Sequence, residues 1–190
     1  MRDDDVFGEG PSALPRARRR FGQNFLTDAN AIRRIGAALA PSASDNVLEI
    51  GPGRGALTDV LLKILPRISA IEIDRDLCAL LRSRYPEDRL TLVERDVLDV
   101  AFCDLAQTRP LVIAGNLPYN ISKPVAMKLV VERRAVSRAV LMFQREVAQR
   151  LTATSGTRAY GPLTVLVGRA YRIERLFDLG PGAFQPSPKV

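Results

Sequence analysis

The chain has no histidine in its 190 residues. That absence excludes Ser-His and Cys-His nucleophile systems and most zinc sites. Cysteine is nearly absent as well. Cys78 and Cys103 are the only two, they lack metal-ligand spacing, and they imply a reducing, cytoplasmic setting without a disulfide framework. No apolar run approaches the roughly 18 residues that a spanning helix needs. The N-terminus, with Arg2 followed by Asp3-Asp4-Asp5, has no apolar core of a secretory signal. There is neither an internal repeat nor an internal linker. What remains is a chain with 46% hydrophobic residues, enough to bury one core, so one domain is expected, with no metal and no membrane partner.

The positive charge is unevenly placed. Residues 1–120 carry sixteen Lys/Arg against seventeen Asp/Glu, whereas residues 121–190 carry twelve against four. A near-neutral first part suits a small ligand and a basic remainder suits a polyanion, although a merely solvated basic face would look the same. Residues 1–15 mix charge with Gly and Pro and are expected to be disordered. Arg16 and Arg18-Arg19-Arg20 form a basic run that can hold phosphates if it lies beside a nucleic-acid site.

From residue 27 onward strand and helix alternate. Thr27 or Asp28 can cap a helix with Ala29, Ile32, Ile35, Ala38 and Leu39 on one face, stopped before Pro41. Strands are expected at 47–50, 68–73, 90–93, 111–115 and 139–143. Helices are expected from Ala56 to Leu65, from a cap at Asp74 to Tyr85, after a cap at Ser122, and over 145–151. Residues 153–162 read as a long loop, and Leu163–Val167 and Tyr171–Leu176 as a late pair of strands. Strands separated by helices at this interval predict an α/β fold, a doubly wound and mostly parallel sheet.

Chemistry concentrates where strands end. Gly51-Pro52-Gly53-Arg54-Gly55 follows the first sheet strand, and glycine there lets a ligand approach the backbone. Glu72 closes the next strand, where an acid can accept both hydroxyls of an adenosine ribose. That much fits a nicotinamide dinucleotide equally well. Three further features favour S-adenosylmethionine. Glu49 can shape the glycine loop near a cationic amino-acid and sulfonium group. Asp96, after the third strand, can take the adenine amine or serve only as a helix cap. The fourth strand runs into Asn116-Leu117-Pro118-Tyr119, which has no role in hydride transfer. An amide acceptor, a stiff proline and a flat aromatic suit an exocyclic amine on a planar base.

Taken in order, Gln23-Asn24-Phe25-Leu26, Glu49-Ile50-Gly51-Pro52-Gly53, Glu72-Ile73-Asp74, Asp96, Asn116 to Ser122 and Phe184 to Val190 resemble the ribosomal RNA adenine N6,N6-dimethyltransferases. Met142 to Leu151 and Tyr160 to Thr164 look like segments of the same family, and the bacterial small-subunit branch, linked to kasugamycin resistance, is most similar. The resemblance runs from about Arg19 to Val190. It implies a Rossmann-like class I methyltransferase domain over 16–190, with S-adenosylmethionine as cofactor and small-subunit ribosomal RNA or its precursor particle as partner, in a monomer. It also implies site roles. Gln23, Asn24 and Leu26 would cover the cofactor, and Glu49, Gly51 and Gly53 would line its amino-acid end. Glu72 would take the ribose and Asp96 the adenine. Asn116 would touch both cofactor and target base, Pro118 would stiffen the turn and leave carbonyls free, and Tyr119 and Phe184 would sandwich the base. Members of the family continue past the Pro-x-Pro-Lys-Val segment into a small helical C-terminal domain, so a fragment or an engineered truncation is expected here.

Three other readings compete. The large-subunit, macrolide-resistance branch is the nearest, and Leu117 in place of Ile argues mildly against it. A non-catalytic ribosome-assembly or RNA-binding factor would not need Asn116 and Tyr119 together. A dinucleotide-dependent oxidoreductase would bind NADH. DNA adenine methylation is disfavoured because those enzymes usually carry Asp where Asn116 stands.

Overall fold

A computed structural model describes residues 14–106 and 108–188. The acidic N-terminal stretch and the final Lys189-Val190 of the Pro-x-Pro-Lys-Val segment lie outside the described residues, as does most of the expected disordered extension. A short strand β1 (Phe25–Leu26) precedes helix α1 (Ala29–Leu39), β2 (Asn46–Ile50), α2 (Ala56–Ile64), β3 (Ile68–Glu72), α3 (Arg75–Arg84) and β4 (Leu90–Glu94). The chain continues through α4 (Phe102–Ala106), β5 (Leu111–Asn116), α5 (Ser122–Val131), β6 (Val136–Met142), α6 (Arg145–Leu151), α7 (Pro162–Ala170) and β7 (Phe184–Gln185). Among the described residues no helix is long and apolar enough to cross a membrane.

Five strands form one parallel sheet in the order β4-β3-β2-β5-β6. Chain direction across the sheet reverses between β2 and β5, and a doubly wound sheet opens a ligand crevice at such a switch, beyond the strands' carboxyl ends. The two central strands approach closely there. A Cβ on Gly115 would lie 2.6 Å from the Ile50 carbonyl oxygen, so only glycine fits.

Side chains alternate across the sheet. Val47, Val112 and Ala114 face a layer with Ile35, Leu39 and Leu61, while Leu48, Ile50, Leu111 and Ile113 face Phe102, Val125 and Leu129. Both faces of the central strands are thus covered, which is why β5 reads as a continuous apolar run from Leu111 to Gly115 and β2 as one broken by Glu49. Fully burying one such side chain contributes about 1.5–3 kcal/mol.

The helix starts follow capping chemistry. The Asp28 carboxylate accepts from the amides of Asn30 and Ala31 at 2.8 and 3.0 Å, and Asp74 accepts from the Asp76 amide. On α1 the buried face is Ala31, Ile32, Ile35, Gly36 and Leu39, so Ala29 and Ala38 point outward, contrary to expectation. Ser122 does not cap α5: it is the helix's first residue, and its hydroxyl donates to the Pro118 carbonyl at 3.0 Å.

The late strand pair is absent. Leu163–Val167 lies inside α7, and Tyr171–Leu179 forms neither helix nor strand. Alternating Leu163, Val165 and Val167 gives a strand-like pattern, but Pro162 sits at the first helical position, where its missing N–H costs nothing. Thr164 closes the turn, accepting from the Gly161 amide at 3.2 Å and donating to the Arg150 carbonyl at 2.6 Å. Burial falls on Thr164 and Val167, a helical spacing, and leaves Val165 and Leu166 exposed. A two-stranded antiparallel ribbon, β1 with β7, was not expected. It pairs Phe25 with Gln185 and Leu26 with Phe184.

Candidate active site

A cleft opens beyond the carboxyl ends of β2, β3, β4 and β5 and runs on along β6 and residues 171–181, with a total volume of about 1230 Å³. Its floor is the glycine turn. Gly51 and Gly53 have φ of +67° and +58°, the left-handed region. The Gly51 amide donates to the Ile71 carbonyl at 2.9 Å, and the Gly53 amide donates to Glu72 Oε2 at 3.2 Å. A Cβ on Gly53 would lie 3.0 Å from the Phe25 ring, so a larger residue would crowd that ring as well as strain the left-handed backbone.

Glu72 is the best-held acid of the cleft. Its Oε1 accepts from the amides of Ile73 and Asp74 at 2.9 and 3.0 Å. Burial pushes its carboxyl above the ordinary range, and the three backbone N–H groups pull the other way. With two donors on Oε1 and one on Oε2, the carboxylate keeps acceptor capacity on the Oε2 side for a ligand hydroxyl. Below it Cys78 is inert: burial pushes its thiol up to about 12, and its Sγ donates to the Glu72 carbonyl at 3.6 Å.

Asp96 borders the cleft and caps the 3₁₀ turn Val97–Asp99, its Oδ1 accepting from the Leu98 amide at 2.9 Å. The cap reading of that residue is thus seen, with one oxygen on the Leu98 amide, and the carboxylate still borders the cleft.

At the end of β5, the Asn116 Nδ2 donates to the Asn24 carbonyl at 3.0 Å. A carbonyl can only accept, so the amide orientation is fixed, and Oδ1 has no partner among the described residues. The Pro118 carbonyl is occupied by the Ile121 amide at 3.2 Å and the Ser122 hydroxyl at 3.0 Å. Leu117 is tethered through its own amide, which donates to the Met142 carbonyl at 3.3 Å. The Leu117 carbonyl accepts nothing among the described residues. Tyr119 and Phe184, both half-buried, border the same cleft, and desolvation pushes the Tyr119 phenol up.

The cleft therefore brings together Gln23, Asn24, Gly51, Gly53, Glu72, Asp96, Asn116, Pro118, Tyr119 and Phe184. It does not include Leu26 or Glu49. Leu26 is buried in the core layer of α1 and pairs with Phe184. Glu49 is only 2% exposed under the glycine turn, and its Oε2 accepts from the Thr58 hydroxyl at 2.6 Å. Burial pushes the Glu49 carboxyl up to about 7. Both side chains thus turn away from the cleft.

Arg18 corrects another expectation. Its guanidinium is not free for phosphate, because it pairs with Asp74 at 3.1 Å and with Asp76. Sequence reasoning also missed Ile73, Arg95, Val97 and Arg145 on the cleft wall. Ile73 and Val97 neighbour predicted residues and were findable by adjacency. Arg145 carries no local signal beyond the start of a helix.

The family model for ribosomal RNA adenine dimethylase matches residues 15–190. A ribosomal RNA small subunit methyltransferase A from Aromatoleum aromaticum is 49% identical over 175 residues, covering 92% of this chain and 65% of the relative. The same-named protein of Marinobacter nauticus is 46% identical over 177 residues, covering 92% and 63%. The chain thus spans somewhat under two thirds of the length of these curated relatives. Among solved structures, a dimethyladenosine transferase from Plasmodium falciparum is similar at a TM-score of 0.77 and 31% identity, over 87% of this chain and 59% of that one. The 23S rRNA methyltransferase ErmE is similar at 0.77 and 28%, over 88% and 66%.

Proposed function

Because the chain belongs to the ribosomal RNA adenine dimethylase family, we propose that it transfers methyl groups from S-adenosylmethionine to N6 of adenines in small-subunit ribosomal RNA. The product is N6,N6-dimethyladenosine, made on small-subunit precursors in the cytoplasm by a monomer whose catalytic domain is 16–190. The single observation that carries this reading is the aim of Asn116. Its nitrogen is tied to Asn24, and its oxygen is left for the cleft beside the unoccupied Leu117 carbonyl.

The cofactor supplies an activated methyl group on a sulfonium. The chain's residues fit it: the turn at Gly51 and Gly53 admits a ligand to the backbone, Glu72 keeps an acceptor for a ribose hydroxyl, and Asp96 offers one for an adenine amine. Gln23 and Asn24 cover the cleft from the N-terminal side.

An adenine N6 lone pair is delocalised into its ring and is a poor nucleophile. Asn116 Oδ1 and the Leu117 carbonyl can accept the two N6 protons and turn the lone pair out of the ring plane. Pro118 stiffens this turn; its own carbonyl is spent on Ile121 and Ser122, so Leu117 supplies the second acceptor. The chain's contribution is then mainly alignment, an effect able to lower a barrier by several kcal/mol. The base must leave its stack to reach this depth, and Tyr119 and Phe184 border the space it would enter.

The test incubates the chain and S-adenosylmethionine with unmethylated small subunits, and separately with large-subunit RNA, and identifies modified nucleosides by mass. Dimethyladenosine confined to the small subunit is expected. Product only in large-subunit RNA would overturn the substrate assignment in favour of an activity like that named for the 23S enzyme.

A further inference from the structure

The residues ahead of β1 converge on one buried carboxylate. Asp74 is almost fully buried, and both of its oxygens are met by groups more than fifty positions earlier in the chain. Oδ1 takes the Arg18 guanidinium at 3.1 Å and Oδ2 takes the Gln23 amide nitrogen at 3.0 Å. Gln23 is held in turn, because its Oε1 accepts from the Arg18 backbone amide at 2.8 Å. Arg18 forks onto Asp76 as well. Asp74 is itself joined to the proposed ribose acid, its amide donating to Glu72 Oε1 at 3.0 Å.

The segment then turns at Gly22 and lies against the catalytic loop. A Cβ on Gly22 would fall 3.4 Å from Asn120 Oδ1 and 3.7 Å from Pro118 Cβ, ordinary contact distances. The next residue but one, Asn24, presents the carbonyl that receives Asn116 Nδ2. Phe25 and Leu26 follow and pair with Gln185 and Phe184. One short segment thus runs from the ribose end of the cleft, past the amide that must be aimed, to the aromatic at its far side.

We propose that Arg18 is a positioning residue for methyl transfer: locked to Asp74 with Gln23, it fixes the Asn24 carbonyl, and that carbonyl fixes the orientation of the Asn116 amide. This rests on the function proposed above. Among the described residues the Asn116 side chain makes no other hydrogen bond. A rotated amide would present N–H groups to N6 where an acceptor is required. A salt bridge on the cofactor side of the cleft thereby sets the geometry on the acceptor side. Removing Arg18 leaves Asp74 as a buried charge without its cation, so the segment must shift to rehydrate it.

The test uses this chain with asparagine-selective 15N labelling, the Asn116 side-chain amide being assigned by its loss in Asn116→Ala. Arg18→Ala is expected to move that resonance and speed its hydrogen exchange. It should also lower kcat on unmethylated small subunits by about tenfold or more while the KM for the subunit stays within about threefold. Arg18→Lys, which keeps a cation near Asp74 and loses the fork onto Asp76, should fall between wild type and Arg18→Ala. It carries the test if Arg18→Ala does not fold. Wild-type kcat with an unmoved Asn116 amide would overturn the inference. So would a loss confined to the KM for S-adenosylmethionine with that amide unmoved. If the unaltered chain methylates neither ribosomal RNA, the function proposed above falls, and the amide resonance alone decides whether Arg18 orients Asn116.

Discussion

The two sides of the cleft are built differently. On the cofactor side the acids that face the cleft, and the Gly51 amide, are held by sequence neighbours or by the adjacent strand: Glu72 by the amides of Gly53, Ile73 and Asp74, Asp96 by Leu98, and Gly51 by Ile71. On the acceptor side Asn116 is held by a carbonyl 92 positions away, and Phe184 by a two-residue strand at the other end of the chain. A site made of local turns can keep its shape while its surroundings move. A site made of distant contacts is correct only when the whole fold is. Binding of the cofactor should therefore tolerate damage that destroys turnover, and each prediction below tests that asymmetry.

The largest effect belongs to Asn116→Ala. In the proposed mechanism it removes the side-chain acceptor for N6, and it leaves the Asn24 carbonyl without its donor. Methyl transfer should fall by about a thousandfold, the scale seen when a positioned charge-stabilising group is deleted. S-adenosylmethionine affinity, measured by calorimetry, should weaken but remain measurable. Turnover near wild type would mean that the two sides are not divided as described.

Glu49 tests the cofactor side through stability. Burial raises its carboxyl from 4.5 in the unfolded chain to about 7 in the fold. Below pH 4.5 both states hold the proton and the residue makes no difference. Between those values the unfolded chain gives up its proton first, so stability falls as pH rises and levels off above about 7. The total loss is about 3 kcal/mol by proton linkage. Glu49→Gln keeps an oxygen for the Thr58 hydroxyl and has nothing to ionise. Denaturant unfolding across pH 4 to 8 should show the variant gaining on the wild type through that window. Parallel curves would remove the buried acid as the cause.

These contrasts also explain what the sequence could and could not reveal. The cofactor side was legible because strand, glycine turn and acid occur together, and the hydrogen bonds on Glu72 join residues that a βαβ unit places side by side. Asn116 was legible as a residue of the cleft, but the carbonyl that its amide donates to was not. Two-residue strands such as β1 and β7 leave no periodic pattern, and Arg18 looked like one more cation in a basic run. Alternating apolar residues at 163–167 pointed to a strand; Pro162 and Thr164 carried the contrary information, a helix start, that should have outweighed it. Leu26 and Glu49 lie in the right motifs, yet their side chains turn into the core, because alternate positions of a strand face opposite ways.

Tyr119→Ala sharpens the acceptor side further. Base stacking on an aromatic ring is worth roughly 1–3 kcal/mol, so kcat/KM on ribosomal RNA should drop by between about fivefold and a hundredfold. Cofactor affinity should change far less, since Tyr119 lies past the turn on the acceptor side. Unchanged RNA kinetics would reject a stacking role and leave the ring as a wall of the cleft.

The smallest effect tests whether Asp96, which caps the turn at Val97, also binds the cofactor. Asn caps a helix about as well as Asp, so Asp96→Asn should keep the bond to the Leu98 amide and leave the melting temperature nearly unchanged. That same bond fixes how the new amide points. Its oxygen is taken by Leu98, and its NH₂ group then occupies the place of the free carboxylate oxygen. An adenine amine meeting that NH₂ would face a donor in place of an acceptor. S-adenosylmethionine binding should weaken by about tenfold, near 1.4 kcal/mol. An unchanged melting temperature with weakened binding would show one carboxylate serving both the fold and the ligand. If binding does not change either, Asp96 is a cap alone, and the adenine end of the cleft must be read by backbone groups.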